Sequence, residues 1–164
     1  MRSGSAVVCT VLAFAALLAS TLARPRLRLV YNATDSAPRG LYVVDEAADL
    51  RVGNYVIARL PESSATLAAE RGYLPRTVPV LKQVAAVAGQ GVCVRSGVVY
   101  IDGAAVARTL DVDRQHRPLR PWDGCRVLLS HELFLLNPGN PASFDSRYFG
   151  PLDVSFVRGR ATRW

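Results

Sequence analysis

The first pattern in the chain is an apolar run, AVVCTVLAFAALLASTLA at residues 6–23, which carries no charge. At ~1.5 Å per residue a helix of this length just crosses a bilayer core. It predicts a membrane segment, either an uncleaved anchor or a signal peptide. Thr21 and Ala23 supply small residues for cleavage, but Arg24-Pro25 would follow the cut, so the anchor is the preferred reading. We place the boundary near residue 25, with residues 1–25 as signal or anchor segment and residues 26–164 as one soluble domain.

Beyond that boundary the period shortens to two. Residues 24–31 (RPRLRLVY) alternate and predict a first strand, and residues 32–40 form a turn-rich run. Residues 41–44 and 55–60 predict further strands. Residues 61–71 (PESSATLAAER) open on proline and have an alanine-rich middle, which predicts the one soluble helix. Residues 78–87 (VPVLKQVAAV) predict a strand with Val80, Lys82 and Val84 on one face and Leu81, Gln83 and Ala85 on the other. Residues 92–95 and 98–101 form a hairpin across Ser96-Gly97, with Asp102-Gly103 as the next turn. Residues 111–122 and 137–150 are loops. Residues 125–129 and 132–136 predict a second hairpin, and residues 154–157 a strand that closes the sheet. The fold class is mainly β, with antiparallel sheets, one short helix and an N-terminal apolar membrane segment.

Composition narrows the function more than the fold. The chain has 164 residues, half of them hydrophobic and a fifth charged, which suits one globular domain with an appendage. No GxGxxG or GxxxxGK[ST] motif occurs, so dinucleotide redox chemistry and P-loop hydrolysis are not expected. The net charge of +7 raises nucleic acid or an anionic membrane surface as partners, yet the arginines are scattered without a basic run, and no nucleic-acid role is expected. Among the 20 basic residues Lys82 is the only lysine. A coding bias explains the arginines and makes the exception informative. Arginine never deprotonates in proteins, whereas a buried lysine can become a neutral base.

Cys93 and Cys125 lie in the body, while Cys9 lies in the apolar run. The pair is either a disulfide in an oxidising compartment or two buried free cysteines. No CxxC pair occurs, and His116 and His131 have no ligand spacing, so neither a metal nor a cofactor is expected. The same two histidines fall in solvated turns and no GxSxG elbow is present, which argues against a Ser-His-Asp triad. A Ser-Lys dyad needs only a desolvated lysine and a serine on a constrained turn. Lys82 on a valine-lined face and Ser36 in TDSAPRG meet those needs.

The blocks YNATDSAPRGLYVV, PVLKQVAAVAGQGV, FLLNPGNPASFDSRYFGP and VRGRATRW carry a resemblance over residues 31–164. They resemble bacterial type I signal peptidases, and more closely the conjugative-transfer, TraF-type pilin-processing branch. The resemblance implies Ser36 as nucleophile and Lys82 as general base. It implies that the Thr34 hydroxyl helps the Ser36 amide hold the oxyanion, and that Ser143 orients the lysine. Asp145 and Arg147 match a structural pair beneath the site, and Gly150 and Gly159 match turn glycines. Ala37 stands where the general enzymes usually carry methionine, and Asn137-Pro138-Gly139 replaces their GDN turn. These departures suit the conjugative branch and point away from housekeeping leader-peptide removal.

The implied activity is a membrane-associated serine endopeptidase that processes a conjugative pilin precursor, with hydrolysis or cyclisation of the pilin as its outcome. The partners implied are the pilin precursor, the inner membrane and components of a conjugation or type IV secretion apparatus. Arg24, Arg26 and Arg28 would by charge balance hold the body in the cytoplasm. Cys93 and Cys125 resemble a cysteine pair of the branch, which implies a disulfide and a periplasmic catalytic domain, and we give this greater weight. The alternative is a catalytically inactive, membrane-anchored scaffold of the same apparatus.

Overall fold

The computed structural model describes residues 8, 10–15, 29–35 and 37–164. Most of the expected membrane segment, Cys9, the beginning of the expected first strand and Ser36 lie outside the described residues. Residues 10–15 are helical, with Val11, Leu12 and Phe14 exposed. Among the described residues no helix is long and apolar enough to cross a membrane.

The body is built from antiparallel strands, as the period-two pattern predicts. A seven-stranded sheet has the order β1 (Leu29–Asn32), β2 (Gly40–Asp45), β11 (Val157–Arg163), β3 (Tyr55–Ala58), β4 (Val80–Ala86), β9 (Glu132–Leu136), β10 (Leu152–Asp153). A four-stranded sheet has the order β7 (Ala104–Arg108), β6 (Val98–Ile101), β5 (Gly91–Arg95), β8 (Gly124–Val127). Helix α1 (Glu62–Glu70) follows β3, starting after Pro61 and burying Ala65 and Ala68. Proline suits this start because the first helical N–H groups lack intrahelical partners anyway.

Alternation places the core. Val56, Ala58, Val80 and Val84 pack with the α1 alanines, Leu133 and Leu135. The intervening residues Ile57 and Leu81 pack on the other side with Tyr42, Val44 and Ala161. Phe134 and Leu136 of β9 turn to the small sheet and meet Val92, Val94 and Val99. One strand thus serves two cores, because its successive side chains point to opposite faces. Each such buried aliphatic or aromatic side chain stabilises by roughly 1.5–3 kcal/mol.

Four expectations are corrected. Residues 125–129 and 132–136 do not form a hairpin: β8 pairs with β5, while β9 pairs with β4 and β10. Arg126 holds Glu132 in a doubly hydrogen-bonded pair, and this turn carries the chain from one sheet to the other. Strand β7 was not anticipated, since its AAVAR sequence lies mostly exposed and shows no alternation. The Asp102-Gly103 turn forms it: both residues have positive φ, as a type I′ hairpin requires. Residues 154–156 make a 3₁₀ turn rather than a strand, capped by the Asp153 side chain, and the strand begins at Val157. A second, one-turn helix, α2 (Ser146–Phe149), follows Asp145, whose carboxylate accepts the Arg147 N–H.

The two glycines differ. Gly150 caps the C-terminus of α2, with φ of 74°. Gly159 lies inside β11, not in a turn, and its role is close approach. A Cβ there would stand 2.5 Å from the Asp45 carbonyl oxygen and from Val44 Cγ1.

Candidate active site

Strand β4 runs through the sheet interior and sets Lys82 opposite Val56 of β3. Lys82 is 3% exposed, and its Nζ donates to Ser143 Oγ at 2.6 Å. Burial lowers the Lys82 ammonium to about 8. Nearby Asp145 opposes that shift and Arg147 adds to it. A buried cation loses its hydration and recovers little from neutral neighbours, so the neutral amine becomes accessible near neutral pH.

Ser143 is held by the loop after β9. Asp145 and Arg147 are both fully buried, so their pair is not a surface contact. The Arg147 guanidinium binds both Asp145 carboxylate oxygens, at 2.8 and 2.7 Å. Its remaining N–H bonds go to the carbonyls of Arg108, Asn137, Asn140 and Pro141. Asp145 in turn accepts the Asn137 N–H. A planar fork of donors thus gathers the 137–141 loop around one buried charge pair, a task lysine could not perform. The pair fixes loop geometry rather than adding large net stability, since its desolvation offsets its attraction.

Thr34 and Ala37, which flank Ser36 in the sequence, are tied by Asn32, a buried residue that sequence reasoning placed only at the start of a turn. Its Nδ2 donates to the carbonyls of Thr34 and Ala37, at 3.0 and 2.8 Å. The Thr34 hydroxyl donates to Asn32 Oδ1 at 2.9 Å. That proton therefore reaches an oxyanion only if the hydroxyl turns away from Asn32. Ser36 itself lies outside the described residues, between Asp35 and Ala37.

Two further residues were missed. Asn137 Nδ2 donates to the Asp35 carbonyl at 2.6 Å, and Asn140 Nδ2 to the same oxygen at 3.2 Å. They join segments 102 and 105 residues apart in sequence. The only signal in the sequence was the asparagine-rich turn at 137–140 that stands in place of a GDN turn.

A cleft of about 800 Å³ passes these groups. Thr34, Asp35, Lys82 and Ser143 line it together with apolar residues such as Val30, Leu60, Leu74 and Phe144. Its wall includes loop 111–122, knotted onto the end of α1. Tyr73 donates to Asp113 at 2.5 Å, and Arg117 Nε to the same carboxylate at 2.7 Å. Burial alone would raise the Asp113 carboxyl, but these bonds hold it well below the usual carboxylate range. Cys93 and Cys125 form a disulfide between paired positions of β5 and β8, and neither lines the cleft. Among the described residues no three His, Cys, Asp or Glu side chains cluster as metal ligands.

The sequence profile of the family "Signal peptidase, peptidase S26" matches residues 1–164. The chain belongs to this family. Within the signal peptidase family it is similar to a probable conjugal transfer protein TraF of Sinorhizobium fredii, 38% identical over 141 residues that cover 79% of this chain and 73% of that one. A conjugal transfer protein TraF of Agrobacterium tumefaciens is 36% identical over 135 residues, covering 76% and 74%. A plasmid transfer protein TraF of Escherichia coli is 29% identical over 137 residues, covering 77% and 76%. These relatives bear out the TraF-type reading of the sequence. A solved signal peptidase I from Enterococcus faecalis V583 aligns over 68% of this chain and 96% of its own, at 19% identity and a TM-score of 0.41.

Proposed function

We propose that the chain is a serine endopeptidase with a Ser36–Lys82 dyad that processes a pilin precursor for a conjugation apparatus. The observation that carries this reading is Lys82: a lone, buried lysine, hydrogen-bonded to Ser143 and lowered to about 8, on the wall of a peptide-sized cleft that Thr34 and Asp35 also line. Membership of the signal peptidase family and the conjugal-transfer relatives support the substrate class.

In the proposed mechanism neutral Lys82 takes the Ser36 proton as Oγ attacks the substrate carbonyl. The Ser36 amide and the turned Thr34 hydroxyl receive the oxyanion, a donor of this kind contributing ~3 kcal/mol. The Asn137 and Asn140 bonds hold the Asp35 carbonyl, next in sequence to the candidate nucleophile. Lys82 then gives its proton to the leaving amine as the C–N bond breaks. The ester on Ser36 passes to water, giving a linear product, or to an amine, giving a cyclic or ligated one. Ser143 orients the lysine, and Asp145 with Arg147 shapes the loop that carries Ser143.

We place the catalytic domain on the periplasmic side of the inner membrane, anchored by residues 6–23. The disulfide supports an oxidising compartment, and the uncharged apolar run supports the anchor. The test is the intact mass of a candidate pilin precursor co-expressed with wild-type chain or with Ser36→Ala. Wild type yields a shortened pilin, linear or one water lighter than linear, and Ser36→Ala yields the unprocessed mass. The same shortened product from both would establish the scaffold reading instead.

A further inference from the structure

A second cleft, of about 560 Å³, meets the first at three shared residues, Asp35, Arg114 and Asn140. Asp35 immediately precedes the candidate nucleophile in sequence. Lys82 lines the first cleft and its neighbour Gln83 the second. The linings differ in chemistry. The first is largely apolar, whereas the second also presents Arg39, Gln83 and Asn137 and has one acidic residue, Asp35. Resting on the Ser36–Lys82 reading, we propose that the second cleft binds the substrate segment on the carboxyl side of the cut bond and selects a carboxylate there.

The charge count supports a carboxylate. Arg39 is paired with Asp35 at 3.0 Å, so these two cancel. Loop 111–122 carries two arginines near the clefts, and only one is engaged: Arg117 binds Asp113, whereas Arg114 makes no hydrogen bond or ion pair among the described residues. Its backbone is nevertheless held in place, because Asp113, just before it, accepts the N–H groups of Gln115 and Arg117, which follow it. A charge on a braced loop, open to solvent and shared by both clefts, is preorganised for an anion.

The chemistry needs such a place. When the Ser36 ester forms, the C–N bond breaks and the amine leaves with the proton held by Lys82. In the reverse sense, an amine in the same position gives a proton to Lys82 and attacks the ester. The C–O bond breaks and the proton returns to Ser36 Oγ. The site that releases the leaving segment is therefore also the site that admits an acceptor amine, and its occupancy divides hydrolysis from transfer.

The test uses the full chain in detergent micelles and the peptides Ala-Glu-Ala and Ala-Lys-Ala, each with a free or amidated C-terminus, followed by backbone amide NMR. Ala-Glu-Ala is expected to shift the amides of Gln83, Arg114 and Asn140, and to bind about fivefold more tightly than Ala-Lys-Ala at low salt. Arg114→Glu reverses that order. Comparison of free with amidated peptides separates a terminal carboxylate from a side-chain one. Equal affinity for both charges, or shifts confined to the first cleft, overturns the proposal. Precursor cleavage by the same preparation is recorded in parallel. Cleavage without charge discrimination removes the second-cleft site alone, and discrimination without cleavage removes the peptidase reading on which it rests.

Discussion

Replacing Lys82 by methionine keeps a long unbranched side chain and removes the ammonium. In the folded chain burial lowers this group from 10.5 to about 8. Below pH 8 lysine is charged in both folded and unfolded states, and the folded state bears the full burial penalty. Above pH 10.5 it is neutral in both, and the penalty is gone. Between these values the unfolded chain binds the extra proton, so wild-type stability rises with pH across that window. One unit corresponds to ~1.4 kcal/mol, which puts the penalty at about 3 kcal/mol. Loss of the hydrogen bond to Ser143 costs the variant ~1 kcal/mol in the other direction. Lys82→Met should therefore be the more stable protein at pH 7, by about 2 kcal/mol, and should lose that advantage by pH 10.5. Urea unfolding of both proteins from pH 6.5 to 10.5 measures the difference. Curves that stay parallel across the window would refute the claim that Lys82 is held in a desolvated, pKa-lowered state.

Four further outcomes follow from the same geometry. Lys82→Arg keeps the charge but cannot deprotonate, so processing should fall by about 10²–10⁴. The wild-type rate should rise about tenfold per pH unit up to about 8 and then level, as seen in initial rates of precursor cleavage. Asn137→Ala with Asn140→Ala releases the Asp35 carbonyl and should lower kcat by at least about tenfold while the urea midpoint moves little. Cys93→Ser with Cys125→Ser should lower stability by about 2–4 kcal/mol in urea titration, yet leave the specific activity of the folded fraction unchanged.

The strands legible in the sequence were those with a buried alternating face, such as β4, whose valines bracket Lys82. The face assigned to Lys82 is the one observed, because a two-residue period leaves no alternative once the neighbours are apolar. Strands β7 and β11 were hidden or misplaced for the opposite reason. The first is an exposed edge of small residues formed by its turn. The second alternates arginines with Gly159 and Ala161, so its inward face carries almost no apolar signal. The β8–β9 hairpin was misread because two strands joined by a short link look alike whether they pair together or enter different sheets.

In the site, Lys82 and Ser143 were legible and the structure brings them together. The Asp145–Arg147 pair was legible as a pair, but its grip on four backbone carbonyls was not, since no sequence pattern records which carbonyl a guanidinium will meet. Asn137 and Asn140 escaped for a similar reason. Asparagine is common in turns, and only long-range contact distinguishes one that holds a distant loop.

The most direct test of the Ser36–Lys82 account is to look for the acyl-enzyme itself. The wild-type chain, mixed with pilin precursor and quenched in acid within its first turnover, should carry an ester-linked substrate fragment that peptide mass mapping assigns to Ser36. The adduct should be absent from Ser36→Ala and should fail to accumulate in Lys82→Arg. An adduct on another residue, or precursor processing at the normal rate by Ser36→Ala, would contradict the account.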